Sequence, residues 1–294
     1  MYTNANNKIE LSLIIVAYEN WKVVKDELES LEKYNDLGTA LEVIVVDNSS
    51  EEKRVGSYLN KEWSFGYTYV ESVNKGFGYG NNRGTELAKG NILGFVNPDI
   101  IYIEPIFKKV LKCFEDSDVI MVGNKMLNTD RKWTFSFYND YRYSVIDKNL
   151  LKFYNKHDLF NEKKMYIAGC DMFVRKDDFF EAGMFDENIF MYYEEPDLTR
   201  RIRKIHPQGH VVYSKDTHMI HLERASTPKS DFAVKQELKS CVYYGKKYNL
   251  DYKAKIKADY RYNRFVCFIA GLLGKNIGRK ESLDIYKKFL DELD

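Results

Sequence analysis

An aspartate set behind a proline at the end of an apolar run is the first place where this chain could do chemistry. Ile92-Leu93-Gly94-Phe95-Val96 reads as a buried strand of a parallel sheet, too short for a buried helix. Asn97-Pro98 ends it, because proline fixes φ and donates no hydrogen bond to a ladder. Asp99 therefore arrives at the carboxyl end of a core strand, where open α/β sheets bind their ligands. A carboxylate there can hold a divalent cation, and the cation a diphosphate. Taken alone, Asn97-Pro98-Asp99 reads first as a plain turn.

Glu194-Glu195-Pro196-Asp197 forms the second cluster. Proline is favoured at the first helical position, so Pro196 makes Glu195 the expected N-cap of a helix running through Arg200, Arg201, Arg203 and Lys204. Glu194 and Glu195 then stand where the helix dipole favours ionised carboxylates, a setting that suits a general base. Asp197 and Arg201 are four apart and can pair on one face, which gives Asp197 a structural reading beside a catalytic one. Of the histidines, His218 and His221 follow a last short strand at 211–213; a lone histidine is more often structural than a ligand.

The elements that must position these groups alternate in type. A strand over 11–17, a helix over 21–37 stopped by Gly38, and a strand over 41–46 closed by Asp47-Asn48-Ser49-Ser50 make a βαβ unit, which implies a parallel sheet. A third strand is expected over 67–71. The stretch Asn74-Lys75-Gly76-Phe77-Gly78-Tyr79-Gly80-Asn81-Asn82-Arg83-Gly84 follows, with helix over 85–89; its glycines would let backbone approach a ligand and its helix offer N–H groups to a phosphate. It is no dinucleotide fingerprint. Counted from Gly76 the third glycine position holds Asn81, counted from Gly78 it holds Arg83, and the stretch does not follow the first strand. Beyond Asp99 come a helix over 105–115, a strand over 119–123, a loop-rich aromatic region over 133–160 assigned to an acceptor pocket, and a strand over 166–174 with small residues at its centre.

With 294 residues, 44% of them hydrophobic, the chain can bury a sizeable core, and a net charge of +1 gives no sign of a nucleic-acid partner. Cys113, Cys170, Cys241 and Cys267 lie far apart without metal spacing and read as reduced thiols of a cytoplasmic protein. Residues 1–7 are polar, with no signal-peptide core, and no apolar run reaches the ~18 residues of a spanning helix. Charge is uneven: residues 246–280 hold ten Lys or Arg against two acids, a local +8 that leaves −7 elsewhere. Two readings of that tail stand. Its apolar run over 265–273 packs as a helical subdomain on the rest, or the tail makes peripheral contact with the inner face of the cell membrane.

Taken in order, several of these stretches resemble the family-2 glycosyltransferases of GT-A fold, in particular the rhamnosyltransferase-like branch. The matching segments are Ser12–Tyr18, Val45–Ser50, Asn74–Gly78, Asn82-Arg83-Gly84, Asn97-Pro98-Asp99, Gly183–Glu187, Phe190–Leu198 and His221–Ser226, spread over Leu11 to Ser226, roughly three quarters of the chain. The resemblance implies an α/β fold, a Rossmann-like nucleotide-binding half with a mixed, mainly parallel sheet, in a catalytic domain over 1–226 and a mostly helical extension over 227–294. It implies that Asp47 faces the base of a nucleoside diphosphate sugar, with Ala17, Tyr18 and Glu19 beside it. Asn74 and Gly76 would continue that pocket, and Arg83 and Asn97 are counted with it. Asp99 would hold Mg²⁺ or Mn²⁺, with His221 closing the metal–diphosphate site. Glu195 would be the inverting base, with Asp197 as the other candidate. Asn97 stands where many relatives have a further aspartate, and Glu195 where an aspartate is usual.

The activity so implied is metal-dependent transfer of a sugar, rhamnose among the candidates, from a dTDP- or UDP-linked donor to a hydroxyl of a cell-surface polysaccharide or lipid-linked glycan. Two other readings remain at this point. A sugar nucleotidyltransferase would normally carry a basic, glycine-rich loop after the first strand, where this chain has Tyr18-Glu19-Asn20-Trp21. A non-catalytic nucleotide-sugar-binding subunit would keep the fold and lose turnover.

Overall fold

A computed structural model describes residues 8–59, 61–141, 144–222, 230–274 and 280–293. The chain begins with β1 (Leu11–Ala17), α1 (Trp21–Tyr34), β2 (Leu41–Asp47), β3 (Gly66–Glu71), α2 (Phe77–Thr85), β4 (Ile92–Val96) and β5 (Ile100–Tyr102). Next come α3 (Phe107–Cys113), β6 (Val119–Leu127), β7 (Phe137–Asn139), α4 (Val145–Lys156), β8 (Met165–Ile167), β9 (Asp171–Arg175) and α5 (Lys176–Glu181). It closes with α6 (Glu194–Ile205), β10 (His210–His221), α7 (Asp231–Lys247), α8 (Tyr252–Leu272) and α9 (Lys280–Leu293).

Eight strands form one mixed sheet in the order β3-β2-β1-β4-β9-β6-β10-β5. β3, β2, β1 and β4 run parallel, whereas β9 enters antiparallel between β4 and β6. Every residue of β1, β2 and β4 is buried, because helices cover both faces of this part of the sheet. Leu13, Ile15, Val43 and Val45 join Val24, Leu28 and Phe107 on one face. On the other, Ile14, Ile44 and Phe95 meet Phe179, Phe185, Leu198 and Ile202. Each such side chain contributes about 1.5–3 kcal/mol by leaving water. A third cluster joins Val234, Leu238 and Cys241 of α7 to Ile256 of α8 and to Tyr286 and Leu290 of α9.

Register sets the level of the working edge. Ala17 lies opposite Asp47, and Val96 opposite Asp171, so β1, β2 and β4 end where antiparallel β9 begins.

Several expectations change. The strand expected over 166–174 is two strands, β8 and β9, broken at Ala168-Gly169-Cys170. The loop-rich region over 133–160 contains β7 and the twelve-residue α4, whose N-terminus is closed by a Ser144/Asp147 capping box. β10 runs on to His221 through a register shift between Ser214 and His218, so both His218 and His221 lie in a strand. The apolar run over 265–273 is not packed into a core: Phe265, Phe268, Leu272 and Leu273 are exposed. The expected division at 226 and the motif residues Glu223–Ser226 lie outside the described residues.

Candidate active site

At the level edge of the sheet, Asp99 follows β4 through a tight turn in which Ile100 N–H donates to Asn97 O. Its side chain is buried, with Oδ1 3.3 Å from His221 Nε2 at the end of β10, and Leu222 N–H donates to its carbonyl. The pair expected to flank a cation is therefore assembled from separate strands. Glu27 of α1 sits beneath it, fully buried; burial first, and the charge of Asp99 second, push its carboxyl well above the ordinary range. No group of three or more His, Cys, Asp or Glu able to hold a metal occurs among the described residues. One carboxylate and one imidazole still fit a Mg²⁺- or Mn²⁺-type ion, which commonly takes one or two protein ligands and draws the rest from substrate phosphate and water.

Glu195 reaches the same edge from α6. Its Oε1 accepts from Gly169 N–H at 3.2 Å, and Asn97 N–H donates to the neighbouring Cys170 carbonyl at 3.2 Å. Two adjacent residues of the β8–β9 break thus tie the start of α6 to the end of β4. A Cβ on Gly169 would lie 2.2 Å from Glu195 Oε1, so the small residue admits a carboxylate of the protein itself. The Cys170 thiol between them is pushed well up, by burial first and then by the charges of Asp171, Asp99 and Glu195.

The helix start differs from the expected one. α6 begins at Glu194, and its N-cap is Tyr193 in the left-handed region at φ 74°, preceded by Tyr192 at φ 68°. Pro196 is thus the third helical residue rather than the first, where its missing N–H still costs nothing. Burial outweighs the helix dipole: it raises the Glu195 pKa against backbone N–H donors that lower it. Glu194 is pushed well above the carboxylate range, by burial first and then by Glu195 and Asp197.

Asp197 is a different case. It is fully buried and holds Arg201 at 2.8 Å, Lys247 at 2.6 Å and the Tyr248 hydroxyl at 2.8 Å. Two cations and a phenol occupy the carboxylate, which joins α6 to α7, the structural pairing that the sequence offered for Asp197 beside the catalytic one.

The donor-side residues also have partners within the chain. Asp47 is buried and turned inward, accepting from Ser49 N–H (2.9 Å), Val55 N–H (2.7 Å) and the Tyr69 hydroxyl (2.6 Å). These contacts order the loop over 48–55, with Arg54 donating to the Asp47 carbonyl. The glycines of α2 serve packing rather than a ligand: Cβ atoms on Gly80 and Gly84 would meet Val16 at 2.8 Å and Ile14 at 2.5 Å. That same pair shows α2 running back from the working edge, which leaves Arg83 near the far end, exposed and paired with Glu86.

Other expected residues do gather at the edge. Ala17 O accepts from Asn48 N–H at 2.9 Å, and Asn48 Nδ2 donates to Gly76 O at 3.4 Å. Tyr18 is 46% exposed above them. Glu19, at φ 53°, is held by Lys53 (2.7 Å) and Ser50 (3.1 Å), and the Lys53 bond is the main cause of its lowered pKa. Asn74 Oδ1 accepts from Gly76 N–H. Gly76, at φ 112°, could carry no side chain, since a Cβ would lie 2.2 Å from Phe190 O. Asn48, Gly169 and Glu27 went unnoticed as partners because their roles arise from contacts distant in sequence.

Residues 12–180 match the model of "Glycosyl transferase family 2". The chain belongs to glycosyl transferase family 2. An uncharacterized glycosyltransferase of Bacillus subtilis, YfnE, is 28% identical over 115 residues, which are 39% of this chain and 29% of YfnE. The fold is GT-A. The structure of the mannosyltransferase PcManGT from Pyrobaculum calidifontis, in complex with GDP-Man and Mn²⁺, superposes with a TM-score of 0.58 at 14% identity, over 80% of this chain and 64% of that one. GalNAc-T7 with UDP, GalNAc and Mn²⁺ gives 0.57 at 15% identity, over 80% and 48%, and S. aureus TarS gives 0.52 at 18%, over 87% and 43%. The chain thus spans less than two thirds of each of these relatives.

Proposed function

We propose that the protein is an inverting, metal-dependent hexosyltransferase that moves a sugar from a dTDP- or UDP-linked donor to a hydroxyl of a glycan or lipid-linked acceptor. The observation that carries this reading is the pair of adjacent links, Gly169 to Glu195 and Cys170 to Asn97, which sets a base and the Asp99–His221 pair at one edge. Ala17, Tyr18, Glu19, Asn74 and Gly76 line the donor side, with the loop ordered by Asp47 as its wall. Asp99 and His221 would hold a divalent cation, which supplies charge neutralisation for a departing diphosphate. Glu195 takes the proton of the acceptor hydroxyl. Burial raises its pKa, which improves it as a base. One displacement from the face opposite the diphosphate inverts the anomeric centre and needs no carboxylate nucleophile. Family membership favours transfer over nucleotidyl transfer, and Mn²⁺ with a nucleotide or nucleotide sugar in PcManGT and GalNAc-T7 supports the cation and donor class.

The test is nucleoside diphosphate release from a panel of dTDP-, UDP- and GDP-sugars, with and without Mn²⁺, by wild type and Asp99→Ala. Release that needs the metal and is lost in Asp99→Ala is expected. Full turnover in chelator would overturn the metal-dependent reading, and donor binding without any release would leave a binding subunit.

A further inference from the structure

We propose that the C-terminal half of α8 is a docking face for an anionic lipid surface, an inference independent of the reading of the active site. Phe265, Phe268, Ile269, Leu272 and Leu273 recur at the helical spacing that places them on one stripe. Their exposures are 58%, 63%, 37%, 69% and 65%. Burying such a stripe against α7 or α9 would stabilise the fold by several kcal/mol, yet those helices take the other end of α8, through Ile256 and the half-buried Tyr260. A contiguous apolar stripe kept in water is the mark of a surface with a partner.

Charge says which partner. Arg261 and Arg264 lie one turn before the stripe and, with Phe265, Phe268 and Leu283, line a shallow recess of about 400 Å³. Arg264 also covers the Tyr260 ring at 5.6 Å. Asp259, the one acid of α8, is turned inward onto Lys148 and Lys255, so it does not offset the arginines. Apolar and aromatic residues next to guanidinium groups that no acid of their own helix offsets match the acyl boundary and the phosphates of an anionic leaflet together. A second copy in a parallel two-fold contact through this stripe would set Arg261 and Arg264 close to their own images, which disfavours that pairing. No helix among the described residues is long and apolar enough to cross a membrane, so the contact is peripheral.

The test is co-sedimentation of the full chain with phosphatidylcholine vesicles, with and without phosphatidylglycerol. Wild type should pellet with the anionic vesicles, less so in high salt, and stay in solution with the neutral ones. Arg261→Gln/Arg264→Gln should weaken partition ~10–30-fold, since each cation near an anionic leaflet is a roughly fivefold effect. Phe268→Ser/Leu272→Ser should abolish binding. All these side chains are exposed, so unchanged thermal melting and unchanged donor cleavage in solution separate this outcome from misfolding and from the active-site reading. Absence of binding at low salt, or variants that bind like wild type, would overturn the proposal. A wild-type dimer in light scattering that Phe268→Ser/Leu272→Ser dissolves, with no vesicle binding, would also overturn it and assign the face to a second copy.

Discussion

Glu195 and Asp197 share a helix and a charge but differ in what surrounds them. Asp197 is gripped by Arg201, Lys247 and Tyr248, whereas Glu195 meets backbone N–H groups, its own and that of Gly169. Glu195→Gln should therefore lower kcat ~10²–10⁴-fold with little change in KM for the donor. Asp197→Asn should instead cost on the order of 2–3 kcal/mol of stability, because it strands two partly buried cations. Rates and urea unfolding of both variants decide between them; a folded Asp197→Asn protein that loses more kcat than Glu195→Gln would reverse the assignment. The residue types were legible in the sequence, as was the option of an Asp197–Arg201 pair. What spacing could not tell was that Lys247 and Tyr248, fifty residues on, would complete that pair, or that Tyr69 and Val55 would turn Asp47 inward.

At the scale of elements, β1, β2 and β4 were readable because burial on both faces leaves an unbroken apolar run. α4 was missed because Val145, Ile146, Leu150 and Phe153 face solvent and give no core-directed stripe, although Ser144-x-x-Asp147 was a local signal of its start. The break between β8 and β9 had no such signal, being set by contacts of Gly169 and Cys170 with distant partners. It leaves Asp171 fully buried at the head of β9, accepting from Asn124 N–H and Nδ2, with its pKa raised by burial to about 7. A carboxyl raised in the folded state binds its proton more tightly there than in the unfolded chain. Its contribution is therefore complete below the ordinary value of 3.8 and is lost as pH rises through about 7. Wild type should lose a few kcal/mol across that window relative to Asp171→Asn, which cannot ionise. Parallel urea midpoints for the two proteins over the window would show no such link.

For the whole molecule, motif order made the GT-A fold legible, and the expected division at 226 falls outside the described residues. The attachment of α7 was not legible. Ser240 of α7 donates to Met191 O at 2.7 Å, Tyr244 packs on Tyr193 at 5.1 Å between ring centres, and Lys247 joins Asp197 and Asp186. α7 thus braces the two left-handed tyrosines, each an unfavourable conformation by about 1–2 kcal/mol, from which the helix bearing Glu195 begins. A ribosome delivers residues in one direction, and β10, the last strand of the sheet, ends at His221, ahead of α7. A nascent chain stalled with residues up to 228 free of the ribosome should therefore bind nucleotide yet transfer nothing, and added peptide spanning 230–293 should restore transfer. Full transfer by the stalled chain alone would sink this. If it holds, the enzyme stays silent until α7 has been made and acquires its base only then.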